Sequence, residues 1–191
     1  MDVEHKKNEM KNGSKRTWRE VVFWRNLMLY FLIFSYVGHF IEMGWVWVAH
    51  WVFGFELKMN ILAHPLEPYP IYGTGVVLVI LVVRPLVKRI NHHILITYGI
   101  ATLACAVLEY ISSRMLVWQY GHNPYWWYAD RPFNLGGHIC LENSLLFGLL
   151  ATVFLRVVFP WMEKLFRRVN QAVINGLLVM LLMMFGIYQL L

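Results

Sequence analysis

Three glutamates sit where hydrocarbon should exclude them. Glu42, Glu109 and Glu142 each interrupt a long apolar stretch of the chain. A carboxylate inside a bilayer costs roughly 2.5–3.5 kcal/mol on insertion scales, so each needs a partner or a task. Histidines accompany two of them: His39 lies three residues before Glu42, and His138 four before Glu142. Both spacings predict a shared helical face. Ser112 and Ser113 follow Glu109 by three and four residues, with Arg114 just beyond. These types can form a hydrogen-bonded His/Glu/Ser/Arg cluster. Such a cluster can bridge helices as a structural network, worth ~0.6–2 kcal/mol per contact. It can equally line a cavity that handles protons or substrate. A metal site is a third reading, because the donor types suit one. No dense spacing such as His-Glu-x-x-His is present, so no metal and no cofactor is assigned.

The elements that must position these groups are membrane helices. Of 191 residues 59% are hydrophobic and only 15% charged, against roughly 25% charged in a soluble domain. We read the fold as all-α, a polytopic membrane helical bundle with about five transmembrane helices. The spans are about 21–51, 73–87, 93–118, 138–161 and 169 to the C-terminus. The second is short, and a re-entrant hairpin is its alternative. Residues 1–19 read as a disordered basic cytoplasmic tail, and 20–191 as a single transmembrane domain. No cleavable signal peptide is evident, so the first run is expected to stay as an anchor. Cys105 and Cys140 both fall in predicted helices; two buried free thiols is the first reading and an interhelical disulfide the second.

Orientation follows from the basic residues. Of 17 lysines and arginines, all but Lys58, Arg114 and Arg131 fall on one side of this five-span arrangement. Basic loops stay cytoplasmic, so the N-terminus is expected inside and the C-terminus outside. Counted along the helices, the three glutamates then lie about 6–14 Å below the outer surface, in one layer. The net charge of +6 belongs to short clusters between apolar runs and implies no nucleic-acid partner.

Two outer segments stand out. Pro68-Tyr69-Pro70-Ile71-Tyr72-Gly73-Thr74-Gly75 enters the second span as a rigid turn with close helix packing, or is a loop dipping toward the glutamate layer. Tyr125-Trp126-Trp127-Tyr128 reads as an interfacial aromatic belt. No nucleotide-binding loop, nucleophile elbow or Cys/His zinc spacing appears.

Several of these segments resemble the CmpB-like family of small multi-pass proteins, the ABC-transporter type IV permeases. The family's Tyr-Ser-x-x-Gly-Trp-x-x-Glu is similar to Phe34 through Glu42, with His39 in place of Trp. Its Pro-Ile-Tyr-Gly-x-Gly is present as Pro70 to Gly75, and its Glu-Tyr pair as Glu109-Tyr110. Its Trp-x-Tyr-x-x-x-Pro-Phe-Asn-x-x-Gly-x-Ile-Cys-Leu pattern looks like Trp126 to Leu141. Glu142 stands at a position the family usually leaves apolar. The resemblance runs in order from about Phe34 to Gly148. It implies a transporter permease working with a separate ATPase subunit, and a homo-oligomer, since five spans make a small pathway. The Pro160–Asn170 loop is the candidate ATPase contact.

The function read from the sequence is a permease subunit of the cell membrane with an outward-facing polar His/Glu cavity. Its substrate- or proton-handling residues are Glu42, Glu109, Glu142, His39, His138, Ser113, Arg114, Tyr72 and Asn134. The sequence leans away from an enzyme. The alternatives are a membrane-embedded enzyme acting on a lipid or lipid-linked substrate, with the same groups as acid and base, or a structural or regulatory membrane subunit.

Overall fold

The computed structural model describes residues 2–53, 67–90 and 93–190. Among them, five helices are long and apolar enough to cross a membrane. Helix α1 is Asp2–Phe53, whose apolar stretch is Arg19–Trp45. It begins inside the segment read as a basic tail. At 52 residues it far exceeds the ~20 that a bilayer needs, so it projects beyond the membrane. Helices α2 (Pro70–Ile90), α3 (Ile94–Tyr120), α4 (Leu141–Arg168) and α5 (Gln171–Leu190) follow. Helix α2 has 21 residues, enough for a full crossing. The expected loop between spans four and five, Pro160–Asn170, is mostly helical, because α4 continues to Arg168.

Prolines shape two of these helices. Pro85 and Pro160 each follow a five-residue π turn, Val79–Val83 and Phe154–Val158. A helical proline removes one N–H and presses on the carbonyl four residues back. Widening to i→i−5 bonds, as from Arg84 N–H to Val79 O, relieves that clash without ending the helix.

Helix α3 shows how the sequence period sorts surface from interior. Thr97, Ala101, Glu109 and Ser113 are buried, at intervals of four or eight residues on one face. Leu103, Val107, Ile111 and Met115, also four apart, are exposed. In a bilayer that second stripe faces lipid, which is as apolar as leucine. Glu109 and Ser113 of this helix therefore point toward its neighbours.

Helix α1 packs chiefly on α2, and α3 on α4. The close approach of the second pair depends on Gly148. A Cβ there would lie 1.9 Å from Thr102 Oγ1 and 2.8 Å from Thr102 Cα. The apolar core gathers Leu29, Tyr30 and Leu32 of α1 with Val79, Ile80 and Val83 of the α2 π turn. Phe154, Phe159, Met162 and Phe166 of α4 and Ile174 and Leu181 of α5 complete it.

Between α3 and α4 the chain makes a small ribbon. Strands β1 (Asn134–Leu135) and β2 (Ile139–Cys140) pair antiparallel, Asn134 opposite Cys140 and Leu135 opposite Ile139. Gly136 and Gly137 turn the corner at φ 59° and 76°, the left-handed region where glycine is unstrained. Helix α4 consequently starts at Leu141, with Cys140 extended as its N-cap, rather than at His138 as the sequence suggested. Cys105 and Cys140 are both free thiols.

Candidate functional site: a layer of tyrosine-capped carboxylates

At the end of α1 remote from its basic start, carboxylates meet phenols from neighbouring elements. Tyr72, in the first turn of α2, donates to Glu42 Oε1 of α1 at 2.5 Å. Tyr128, in the loop after α3, donates to Glu109 Oε1 of α3 at 3.0 Å. Tyr188, near the end of α5, lies within electrostatic range of Glu67, which precedes α2. Glu42 and Glu109 are thus each held by a tyrosine hydroxyl carried on a different element. Asn143 of α4 donates through Nδ2 to the Tyr128 hydroxyl, so α3, α4 and their loop share one chain of bonds. Glu42 and Glu109 are within electrostatic range of each other, and Tyr72 is within range of Glu42, Glu109 and Tyr128.

The local sequence explains why these groups converge. The Tyr69 amide donates to the Ser35 carbonyl at 2.8 Å, fixing the entry of α2 against α1. Gly38 lies under the Tyr72 ring, where a Cβ would come within 2.5 Å of ring carbon. Pro70 occupies the first helical turn without needing a donor. The Pro70-to-Gly75 segment therefore delivers Tyr72 to Glu42.

Two groups in the layer have unused hydrogen-bonding capacity among the described residues. Glu109 is 3% exposed, and its Oε2 is buried with no partner. His39 is 1% exposed, and neither ring nitrogen has one. The imidazole stacks on Tyr69, with ring centroids 5.4 Å apart, and lies within electrostatic range of Glu67. Orphaned buried polar atoms are costly in a low-dielectric interior. Glu109 Oε2 lacks a donor, and the His39 ring lacks partners for both of its nitrogens, among the described residues.

The phenols outside the spans stay protonated. Burial, reinforced by the negative charges of Glu67 and Glu42, pushes Tyr69 up to about 12. Burial and then the Glu109 carboxylate raise Tyr128 well above the ordinary phenol value. Tyr128 therefore remains a donor to Glu109 at any physiological pH.

The remaining expected residues divide. His138 and Ser113 form a second buried network next to the layer. Ser113 Oγ and His138 Nδ1 are 2.8 Å apart, and Asn123 Nδ2 donates to Ser113 Oγ at 2.9 Å. Asn123 Oδ1 accepts from the Tyr125 and Trp126 amides. Trp126 Nε1 closes the unit on the His138 carbonyl at 3.1 Å. With Ser113 fully buried, this unit anchors the aromatic loop to α3. Burial, then the positive charge of Arg114, lowers the pKa of His138.

Glu142 leaves the layer. It sits exposed in the first turn of α4, with its Oε1 3.3 Å from Arg131 Nη1. Its expected face-sharing with His138 fails because His138 precedes the helix. Arg114 is exposed and forms no ion pair with Glu109 among the described residues. Asn134 closes its own loop: Nδ2 donates to the Arg131 carbonyl at 2.7 Å, and Oδ1 accepts from Gly137 N. Sequence reasoning missed Glu67, Asn143 and the part played by Tyr128. Tyr128 occupies the tyrosine of the Trp-x-Tyr pattern, a signal the belt reading set aside.

The geometry describes an acidic, phenol-lined layer to which all five helices contribute. No curated protein and no solved structure matches the chain. A family model described as "Putative ABC-transporter type IV" matches residues 29–190, which takes in most of the first span, the other four spans and every layer residue. The chain belongs to the ABC-transporter type IV family.

Proposed function

We propose that this chain is the membrane-spanning permease subunit of a transporter in the cell membrane. In this reading Glu42, Glu109 and Glu67, with their tyrosines, form the site that meets a proton or a cationic group of the cargo. The observation that carries it is the buried Glu109: one oxygen is held by Tyr128 and the other has no partner among the described residues. A carboxylate serving only as a helix bridge gains by using both oxygens. One left open in a protein-lined, low-dielectric layer is suited to bind and release a positive charge. With the basic loops cytoplasmic, the layer faces outward.

Membership in an ABC-transporter family supports association with a separate ATP-hydrolysing subunit. The end of α4 suits that contact. Phe159, Met162 and Phe166 are buried, and Lys164, Arg167 and Arg168 of the same segment are exposed.

The test is purification of the chain from its native membrane, followed by reconstitution of whatever accompanies it. The reading expects an ATP-hydrolysing subunit to co-purify. It also expects vesicles holding the complex to show ATP-dependent flux, read by an entrapped pH dye or cation indicator. Chemical turnover of lipid without flux would contradict it, as would a stable complex that neither hydrolyses ATP nor moves charge.

A further inference from the structure

At the opposite end of the bundle from the carboxylates, α1, α4, the start of α5 and Ile80 of α2 line an open cavity of about 230 Å³. That is several times the ~30 Å³ occupied by a liquid water. Three arginines line it, Arg19, Arg25 and Arg167, against a single acid, Glu163. Arg25 donates to the neutral amide oxygens of Asn26 and Asn175 at 2.9–3.2 Å, which orient the guanidinium without cancelling its charge. Among the described residues none of the three is ion-paired with Glu163. The cavity therefore holds an excess of positive charge and several guanidinium N–H donors. Tyr30 supplies a second, independent sign of a missing guest. It lines the cavity, is 3% exposed, and its buried hydroxyl has no partner among the described residues.

We propose that this cavity binds a phosphate group. Planar guanidinium forks match phosphate oxygens in pairs, and a phosphate oxygen would give the Tyr30 hydroxyl its acceptor. Arg19 opens the apolar span of α1 and Arg167 lies one residue from the end of the α4 span. The cavity thus sits at the level where a bilayer presents phosphates, and basic pockets between helices at that level take anionic lipid headgroups. A soluble phosphate compound carries the same chemistry. The proposal is independent of the carboxylate layer.

The experiment titrates the purified full-length protein, in a neutral detergent, with dioleoylphosphatidylglycerol, with dioleoylphosphatidylcholine and with inorganic phosphate. Binding is read by native mass spectrometry and thermal shift. The site predicts that phosphatidylglycerol binds more tightly than phosphatidylcholine, or that inorganic phosphate binds. Either ligand should bind about tenfold more weakly to Arg167→Gln, the loss of one charge-assisted bond. Tyr30→Phe keeps the ring packing and should weaken binding by a smaller factor. Arg168→Gln, one residue along and outside the cavity, should leave it unchanged. Phosphatidylglycerol binding that inorganic phosphate cannot displace identifies the lipid as the source; displacement by inorganic phosphate identifies a soluble one. The proposal is overturned if neither ligand binds selectively, or if Arg168→Gln and Arg167→Gln lose the same amount, since that describes only a diffuse basic surface.

Discussion

The bond between Tyr128 and Glu109 offers a quantitative test of how the layer is built. Tyr128→Phe deletes one oxygen and keeps the ring. It removes the one donor to the Glu109 carboxylate among the described residues and the acceptor that Asn143 uses. A hydrogen bond to a charged group contributes about 1.5–3 kcal/mol, while measured contacts between membrane helices average nearer ~0.6. Tyr128 serves two partners, so we expect its loss to cost about 1–2 kcal/mol, between those limits. Thermal midpoints move by about 2–4 °C per kcal/mol in chains of this size, which makes the change measurable in detergent. Glu109→Gln keeps an acceptor for Tyr128 but not a charged one. Combining the two substitutions isolates the pair: a double-mutant cycle should return a coupling of about 1 kcal/mol. Denaturation in mixed micelles, monitored by tryptophan fluorescence, supplies the four free energies. Additivity within ~0.3 kcal/mol would refute the view that this phenol and this carboxylate act as a bonded unit.

Three further outcomes follow from the same structure. Gly148→Ala should destabilise the protein by about 1–3 kcal/mol, because its Cβ would overlap Thr102; Gly176→Ala, with no atom within 4 Å, should not, and equal thermal midpoints for both would contradict the α3–α4 contact. His138 has a lowered pKa in the folded protein, so below the ordinary histidine value of about 6.5 the unfolded chain takes up a proton that the native one resists. Stability should therefore hold above that pH and fall as pH drops toward the lowered native value, and His138→Gln should flatten that part of a stability–pH curve; a midpoint that rises on acidification would reverse the sign we assign. Cysteine labelling should find the N-terminus inside and the C-terminus outside, and termini on one side would remove one of the five crossings.

Much of this architecture is legible in the sequence, because a bilayer asks for long apolar runs and little else does. The same logic makes Glu42, His39 and Glu109 conspicuous, and all three end up in the layer. Helix four shows where the reasoning fails. Ile139-Cys140-Leu141 is apolar enough to continue a helix backward to His138, but Gly136 and Gly137 take left-handed angles and the chain turns into a hairpin. A later helix start moves His138 into the loop network and leaves Glu142 exposed beside Arg131. Glu67 was invisible for a different reason. It lies in a proline-rich connection, where no helical period assigns a depth, and its partner Tyr188 comes from the far end of the chain. Tyr128 belongs to an aromatic run whose composition suits an interfacial belt. Only the fold distinguishes the one phenol that turns inward to Glu109.

The central claim is that Glu109 works by carrying or releasing positive charge rather than by tying helices together. The most direct measurement is ATP-driven flux, or growth complementation, for Glu109→Gln, paired with its thermal midpoint and membrane insertion. Glutamine keeps the shape and the acceptor for Tyr128 but cannot ionise. The account predicts a folded, inserted protein with its activity lost, while Glu142→Gln, at an exposed ion pair worth at most about 1 kcal/mol, stays active. Full activity in Glu109→Gln would contradict it and make the layer a structural bridge.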